Sequence, residues 1–387
     1  VACCFGSSTT GARCQHPDVR VLLLSAYAAQ SHRYWQTGLQ QMFPQWEWTV
    51  LELPPRHFSW RVRGNPLYWS VVERETLESA WDLLIATSMV DLSTLRGLVP
   101  SLATVPTLLY FHENQFEYPQ DRQRHSLLEA QMVSLYAALA ADGIAFNSRH
   151  NLRTFMTGCE RLLARLPDRV PPGVVARLES RAQVLPVPIL PGERVEGKAE
   201  PFISWSPGAL RLLWSARFEH DKGGEGLYLL LQTLEQQGCN YQLAVTGQQF
   251  RNSPPVFARI EQQFAGRLAH FGYVQSPEEY AALLHEADIV VSTALHEFQG
   301  LAVMQAVAAG CLPLVPDRLA YRETYADVFR YPSCPDEPAR EAEGAAQLLL
   351  SMSRERPVVP DLTAFGVSAL RDRYLATLLA LRESSPG

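Results

Sequence analysis

Strand-like apolar runs alternate with helical stretches along almost the whole chain, the signature of parallel α/β layers. In the first half the runs are Val19–Leu24, Leu83–Thr87, Thr107–Phe111, Gly143–Phe146 and Gln183–Val187. A Pro- and Gly-containing stretch without clear period follows from Pro186 to Pro207. The pattern then restarts with Leu212–Ser215, Gln242–Thr246, Leu268–Phe271, Ile289–Ser292 and Leu312–Val315. Between the last two, Gly300–Ala309 is apolar and helical, with Gly310 where a helix-ending glycine is expected. The pattern predicts two successive doubly wound, Rossmann-like domains, 18–190 and 208–387, joined by a linker at 191–207, with the last helix free to pack back on the first domain. Residues 1–17 are small, polar and aperiodic and are expected to form a loose leader. Ligands of such folds bind at the carboxyl ends of the strands, in the cleft between domains.

A length of 387 residues and a 47% hydrophobic, 19% charged composition suit a globular enzyme of two or three domains. No apolar run approaches the ~20 residues that span a bilayer. The seven cysteines show no C-x-x-C spacing and read as reduced thiols of a cytoplasmic protein rather than a zinc or disulfide framework. The net charge of −6 is uneven: residues 1–195 carry +1 and the remainder −7. An acidic whole argues against indiscriminate nucleic-acid binding but leaves room for a basic surface on the first half.

Two clusters in the second half carry chemistry. In Leu212-Leu-Trp-Ser-Ala-Arg-Phe-Glu-His-Asp-Lys-Gly-Gly224, Arg217 and Lys222 follow a strand within one loop. Two cations there suit a pyrophosphate, which needs neutralising most as it leaves. The chain has only two lysines, Lys198 and Lys222. A solvated basic loop explains the pair alone equally well. The second cluster, His296-Glu-Phe-Gln-Gly-Leu-Ala-Val-Met-Gln305, opens a helix at Gly300, where free N–H groups can hold phosphate oxygens. Glu297 can accept from sugar hydroxyls or act only as a capping acid. Gln305, about two turns on, can reach a ribose.

Together the clusters resemble the donor site of retaining GT-B glycosyltransferases, where Arg and Lys clamp the diphosphate and an E-x7-E motif binds sugar and ribose. Gly272-Tyr-Val with Pro277-Glu-Glu-Tyr-Ala-Ala-Leu-Leu284 resembles the family's base-binding loop and helix. The resemblance implies a donor site of Gly247, Tyr273, Val274, Glu297, Phe298, Gln299, Gly300, Leu301 and Gln305. It implies catalytic roles for His112, Glu297, Arg217 and Lys222. The second Glu of the motif is Gln305 here, an amide that still hydrogen-bonds ribose.

Phe111-His-Glu-Asn-Gln115 with Tyr118-Pro119, Phe146-Asn-Ser148, Trp60-Arg-Val-Arg63 and His296-Glu-Phe-x-Gly300 are similar to the tRNA-queuosine mannosyltransferase family. That family adds α-mannose from GDP-mannose to the cyclopentenediol of queuosine at the wobble position of an aspartate tRNA. The implied acceptor site is Ser31, His32, Arg56, Trp60, Arg61, Arg63, Glu113, Asn114, Gln115, Asn147 and Ser148. Where the family tends to show Gly-Gly before Ser-His, this chain has Ala28 and Ala29, whose methyl groups would crowd a loop built for glycine. The segment 54–69 interleaves Arg56, Arg61 and Arg63 with Phe58, Trp60, Tyr68 and Trp69, as an unstacked anticodon-loop base requires. Arg149, His150, Arg153, Arg161, Arg165 and Arg169 form a second basic stretch, suited to phosphates or to a solvated helix face. A basic amphipathic helix also suits peripheral contact with anionic lipid.

No H-E-x-x-H or Asp-x-Asp motif is present, so neither metal nor cofactor is expected and two cations take the metal's place. No carboxylate stands out as a nucleophile, which favours front-face attack with the departing phosphate taking the acceptor proton. Two other functions remain open on the sequence: the same fold acting on a lipid or polysaccharide acceptor, and a non-catalytic sugar-nucleotide or RNA-binding module.

Overall fold

The computed structural model describes residues 19–117, 127–190 and 202–384. The expected leader, Tyr118-Pro119 and most of the 191–207 linker lie outside the described residues. Twelve strands form two six-stranded sheets. The first comprises β1 (Arg20–Ser25), β2 (Glu47–Glu52), β3 (Leu83–Thr87), β4 (Thr107–Phe111), β5 (Gly143–Phe146) and β6 (Ala182–Val184). Its spatial order is β2-β1-β3-β4-β5-β6. The second comprises β7 (Leu210–Ser215), β8 (Tyr241–Thr246), β9 (Leu268–Gly272), β10 (Ile289–Val291), β11 (Leu312–Pro316) and β12 (Arg330–Tyr331), ordered β12-β11-β10-β7-β8-β9. The paired strands within both sheets are parallel.

Both faces of the first sheet are buried, which explains its continuous apolar runs. Leu22, Leu24, Leu84, Ala86, Leu109, Phe111, Ile144 and Phe146 face one core. Their neighbours Val21, Leu23, Leu83, Ile85, Leu108, Tyr110 and Ala145 face the other. The sequence pattern misses β2 and β12, both edge strands. Along β2, Glu47-Trp-Thr-Val-Leu-Glu52, side chains are only partly buried and charged at each end, so the apolar signal is weak. β6 ends at Val184, short of the expected Val187, because Pro186 and Pro188 cannot donate to a ladder. The helix expected over Gly300–Ala309 runs over Leu301–Ala308, and Gly300 is its N-cap.

The second face of the first sheet is closed by the far end of the chain. The Val367–Ser384 helix buries Leu370, Tyr374 and Leu378 in the same core as Val21 and Trp35. The Tyr374 hydroxyl accepts from Trp35 Nε1 at 3.0 Å and donates to the Pro186 carbonyl at 3.0 Å. Arg371 Nε donates to the Met42 carbonyl at 3.0 Å. A second joint lies at the cleft: the Gln299 amide accepts from Val187 N–H and donates to Val187 C=O, both at 2.9 Å. Among the described residues no helix is long and apolar enough to cross a membrane.

Replacing Tyr374 with Phe strands the buried Trp35 N–H and a carbonyl. We expect a loss of about 1–3 kcal/mol, read as a lower denaturant midpoint at unchanged slope. Wild-type stability would show that the hydroxyl does not hold the helix.

Candidate functional site

The loops after β7 and β10 are fastened together before any ligand is considered. The Asp221 carbonyl accepts from the N–H groups of Leu295 and His296 at 2.9 and 3.1 Å, and the Lys222 carbonyl accepts from Thr293 Oγ1 at 3.1 Å. Gly223 makes this approach feasible. Its φ is +71°, and a Cβ there would lie 1.9 Å from the Thr293 carbonyl oxygen. The result fixes Lys222 Nζ 3.1 Å from Glu297 Oε2, 3.1 Å from the His296 carbonyl and 3.3 Å from Asp221 Oδ2.

The electrostatics follow from that packing. Burial disfavours the Lys222 ammonium, but Glu297 and Asp221 more than offset this and push it up to about 12. Burial also raises the Glu297 carboxyl, yet Lys222 and the N–H groups of Gly300 and Gln299 hold it below the ordinary value. Gly300, at φ +80°, begins the Leu301–Ala308 helix with room for no side chain: a Cβ would sit 2.6 Å from the Tyr321 ring. A small cavity beside it is lined by Ser215, Lys222, Ser292, Glu297, Gly300 and Tyr321. A cation, an amide-rich helix start and a carboxylate therefore converge at the carboxyl ends of β7 and β10, which suits a phosphorylated sugar. Arg217 stands in the same loop, paired with Glu219 at 3.0 Å. Gly247 ends β8 against the Ala216 carbonyl, so close that a Cβ would be 1.8 Å away. After β9, Tyr273 is exposed and Val274 buried.

The first domain contributes the other wall. His112, at the end of β4, stacks on His32 with ring centroids 4.1 Å apart and meets the edges of Trp35 and Tyr110. Burial, and secondarily His32, hold its imidazole well below the ordinary value, so it is neutral. Its Nε2 has no hydrogen-bond partner among the described residues. His32 Nε2 lies 3.2 Å from Glu113 Oε2. Burial raises the Glu113 carboxyl, but His32, Arg217 and His296 together lower it below the ordinary value, so this carboxylate feels charges from both domains.

The remaining sequence-derived residues divide by environment. Asn114 donates to the Asn151 carbonyl and Oδ1 and to Thr154 Oγ1, and accepts from the N–H groups of Phe116 and Glu117. Asn147 donates to the His112 carbonyl and accepts from Asn151 Nδ2, while Ser148 caps the Arg149–Leu163 helix. Gln115 is buried against Met89. These four side chains turn inward and hold the His112 loop, and the Gln299 side chain is committed to Val187. Gln305 hydrogen-bonds the Tyr34 hydroxyl of the first domain, which also accepts from Leu190 N–H. Ser31 is exposed in the first turn of the Gln30–Met42 helix. Its N-cap Ala29 has φ −65°, ψ 163°, a conformation open to any residue, so the alanines cost this loop no strain. Arg56 and Trp60 are exposed, and Trp60, 56% accessible, lies flat over Gly64 of its own helix. Arg63 pairs with Asp91 at 2.5 Å and Glu129 at 3.3 Å; Arg61 is half-buried. His150, which the sequence groups with a basic stretch, is instead buried and held down to about 4 by burial and by Arg153.

A family model described as tRNA-queuosine alpha-mannosyltransferase N-terminal matches residues 20–189, and one described as Glycosyl transferases group 1 matches residues 201–356. A Drosophila melanogaster protein named tRNA-queuosine alpha-mannosyltransferase is 29% identical over 317 residues, 81% of this chain and 82% of that one. The first half is thus similar to the tRNA-queuosine alpha-mannosyltransferase family and the second to the group 1 glycosyltransferases. Solved structures extend the agreement to the fold. A trehalose-6-phosphate structure from E. coli bound with UDP-2-fluoro glucose superposes with TM-score 0.65 at 10% identity, covering 95% of this chain and all (100%) of that one. A trehalose-phosphate synthase from Burkholderia vietnamiensis gives 0.63 at 12% identity, covering 96% and 99%. The fold is GT-B, and the two family matches with the mannosyltransferase relative make the chain a hexosyltransferase. Sequence reasoning missed Asp221 and Tyr34. Asp221 acts largely through its backbone carbonyl and Tyr34 through an interdomain bond, and neither leaves a local sequence signal.

Burial holds His150 and His296 at about 4, against 6.5 ordinarily. Between those values the unfolded chain binds protons that the fold refuses. Stability is therefore complete above pH 6.5 and declines as pH falls toward 4. Thermal melts from pH 7 to 5, above most carboxylate titration, should show a falling midpoint, and a flat profile would contradict the neutral assignment.

Proposed function

We propose that this chain transfers mannose from GDP-mannose to the cyclopentenediol of queuosine in the anticodon loop of tRNA-Asp, with retention and without a metal, in the cytoplasm. The observation that carries the reading is the facing of two preset walls. On one side are Arg217, Lys222 and the N–H groups beyond Gly300; on the other is the neutral His112 with an unpartnered Nε2. As the glycosidic bond breaks, negative charge grows on the β-phosphate, and fixed cations and amides stabilise that growth more than they stabilise the ground state. The acceptor hydroxyl attacks from the same face of an oxocarbenium-like sugar and yields its proton to the departing phosphate oxygen. His112 holds a sugar hydroxyl, and Glu297, with Lys222 beside it, accepts from another. The backbone at Tyr273 and Val274 takes the base and Gln305 the ribose. Gly247, Phe298 and Leu301 shape the donor pocket.

The acceptor reading rests on the exposed Trp60 over Gly64, beside Arg56, Arg61 and Arg63, a platform of the type that stacks unpaired bases. His32 and Glu113, joined at 3.2 Å beside His112, are assigned to the diol with Ser31. Asn114, Gln115, Asn147 and Ser148 support them from behind. A second reading has its own observation: Leu67, Tyr68, Val71 and Val72 are exposed on the same helix and suit a lipid-borne acceptor.

The deciding experiment incubates the protein with GDP-mannose and queuosine-containing tRNA, with guanine-containing tRNA as control and chelator in a parallel arm, and reads nucleosides by mass spectrometry. A hexose gained only on queuosine, with or without chelator, is the expected result. Lys222→Ala should lower kcat by about 10²–10³ at saturating donor. Wild-type turnover in that variant would remove the clamp assignment, and liposome binding without tRNA transfer would favour the lipid acceptor.

Trp60→Ala should weaken tRNA binding by about 1–3 kcal/mol and leave GDP-mannose affinity unchanged. Equal tRNA affinity, measured by filter binding at fixed salt, would remove the platform.

A further inference from the structure

His150 lies in the first turn of the Arg149–Leu163 helix, immediately after β5, where the first domain looks toward the second. It is 6% exposed, and neither Nδ1 nor Nε2 has a hydrogen-bond partner among the described residues. A buried imidazole with both nitrogens unserved is costly in the ligand-free fold. Its surroundings say what it faces. Its ring lies 6.2 Å from the ring of Phe298, which in turn packs edge-on against His296. Glu297 and His296 both act on its charge, as does Arg153 on its own helix. These neighbours, Arg153 apart, belong to the loop between β10 and the Leu301–Ala308 helix. His150 is thus the first-domain side chain turned toward the carboxylate assigned to the sugar.

We propose that His150 is a specificity-determining residue, its neutral ring hydrogen-bonding a hydroxyl of the hexose carried by the nucleotide. The inference rests on the donor reading above and deepens it. A neutral imidazole offers one N–H donor and one acceptor, and a hydroxyl group can meet either. Because the ring is held neutral by burial, the interaction is independent of pH across the physiological range. Arg153 repels its protonated form, while Glu297 favours it and is the weaker of the two influences. The sugar would satisfy a group that the ligand-free fold leaves unserved, so binding energy is directed at the hexose rather than at the nucleotide.

Two substitutions separate this from a packing role. His150→Phe keeps a ring against Phe298 without nitrogens, and His150→Asn restores a donor and an acceptor. Calorimetric titration with GDP and with GDP-mannose reads the nucleotide and the sugar separately. We expect the Phe variant to bind GDP as the wild type does and GDP-mannose about tenfold more weakly, with the Asn variant recovering part of the loss. The Phe variant should also melt no lower than the wild type in the absence of ligand, since a buried unserved polar group has been removed. Unchanged GDP-mannose affinity, an equal loss for GDP, or a lowered melting point would each overturn the assignment. A wild-type protein that binds neither GDP nor GDP-mannose would overturn the donor reading and this inference with it.

Discussion

A parallel strand is followed by a crossover, so every strand of a parallel sheet releases its chain at the same edge. With twelve parallel strands in two sheets, this rule gathers the loops after β1, β4, β5, β7, β8, β9 and β10 along the cleft edges of both domains. The histidines, cations and carboxylates described at the cleft sit on those loops or on the first turns of the helices they lead into. His32, His112, His150, the Arg217–Lys222 loop and Glu297 are far apart in sequence and share one cleft for this reason.

Within that frame the wall proposed for the donor is set by one charge cluster. Lys222 is enclosed by Glu297, Asp221 and a backbone carbonyl, so its charge is retained despite burial and its position is fixed without a ligand. Such an arrangement suits transition-state stabilisation, because little reorganisation remains to be done when charge develops. It also ties Glu297 to Lys222, so the carboxylate and the ammonium are held as one unit. The first domain is preset in a different way, through an aromatic cage around a neutral His112 and an asparagine network behind it.

The layered fold was legible because burial on both faces writes continuous apolar runs into central strands. Edge strands β2 and β12 carry no such run and escaped notice. The Arg217–Lys222 and Glu297–Gln305 clusters were legible because each follows a strand at fixed spacing. What sequence could not separate was a side chain that meets a ligand from one that holds its neighbour. Asn114 and Gln299 stand inside informative motifs, yet their amides are engaged by backbone and side-chain partners from segments distant in sequence. His150 shows the reverse: amid arginines it reads as one more basic residue, and only packing reveals it as neutral and buried. The alanines at 28 and 29 bring no positive-φ strain to their loop, because neither adopts the backbone region that favours glycine.

The Val367–Ser384 helix closes a core whose strands lie at the opposite end of the chain, and this has a consequence for biosynthesis. Residues 20–184 leave the ribosome with one face of their sheet covered only in part, by the Gln30–Met42 helix, and the second domain must be made before the helix that completes the cover emerges. At roughly 5–20 residues per second, that delay amounts to on the order of ten seconds or more. During it the part of that core later filled by Leu370, Tyr374 and Leu378 is left open. Nascent chains of this protein are therefore natural clients for chaperones, and a premature stop anywhere in the second domain would disable the first.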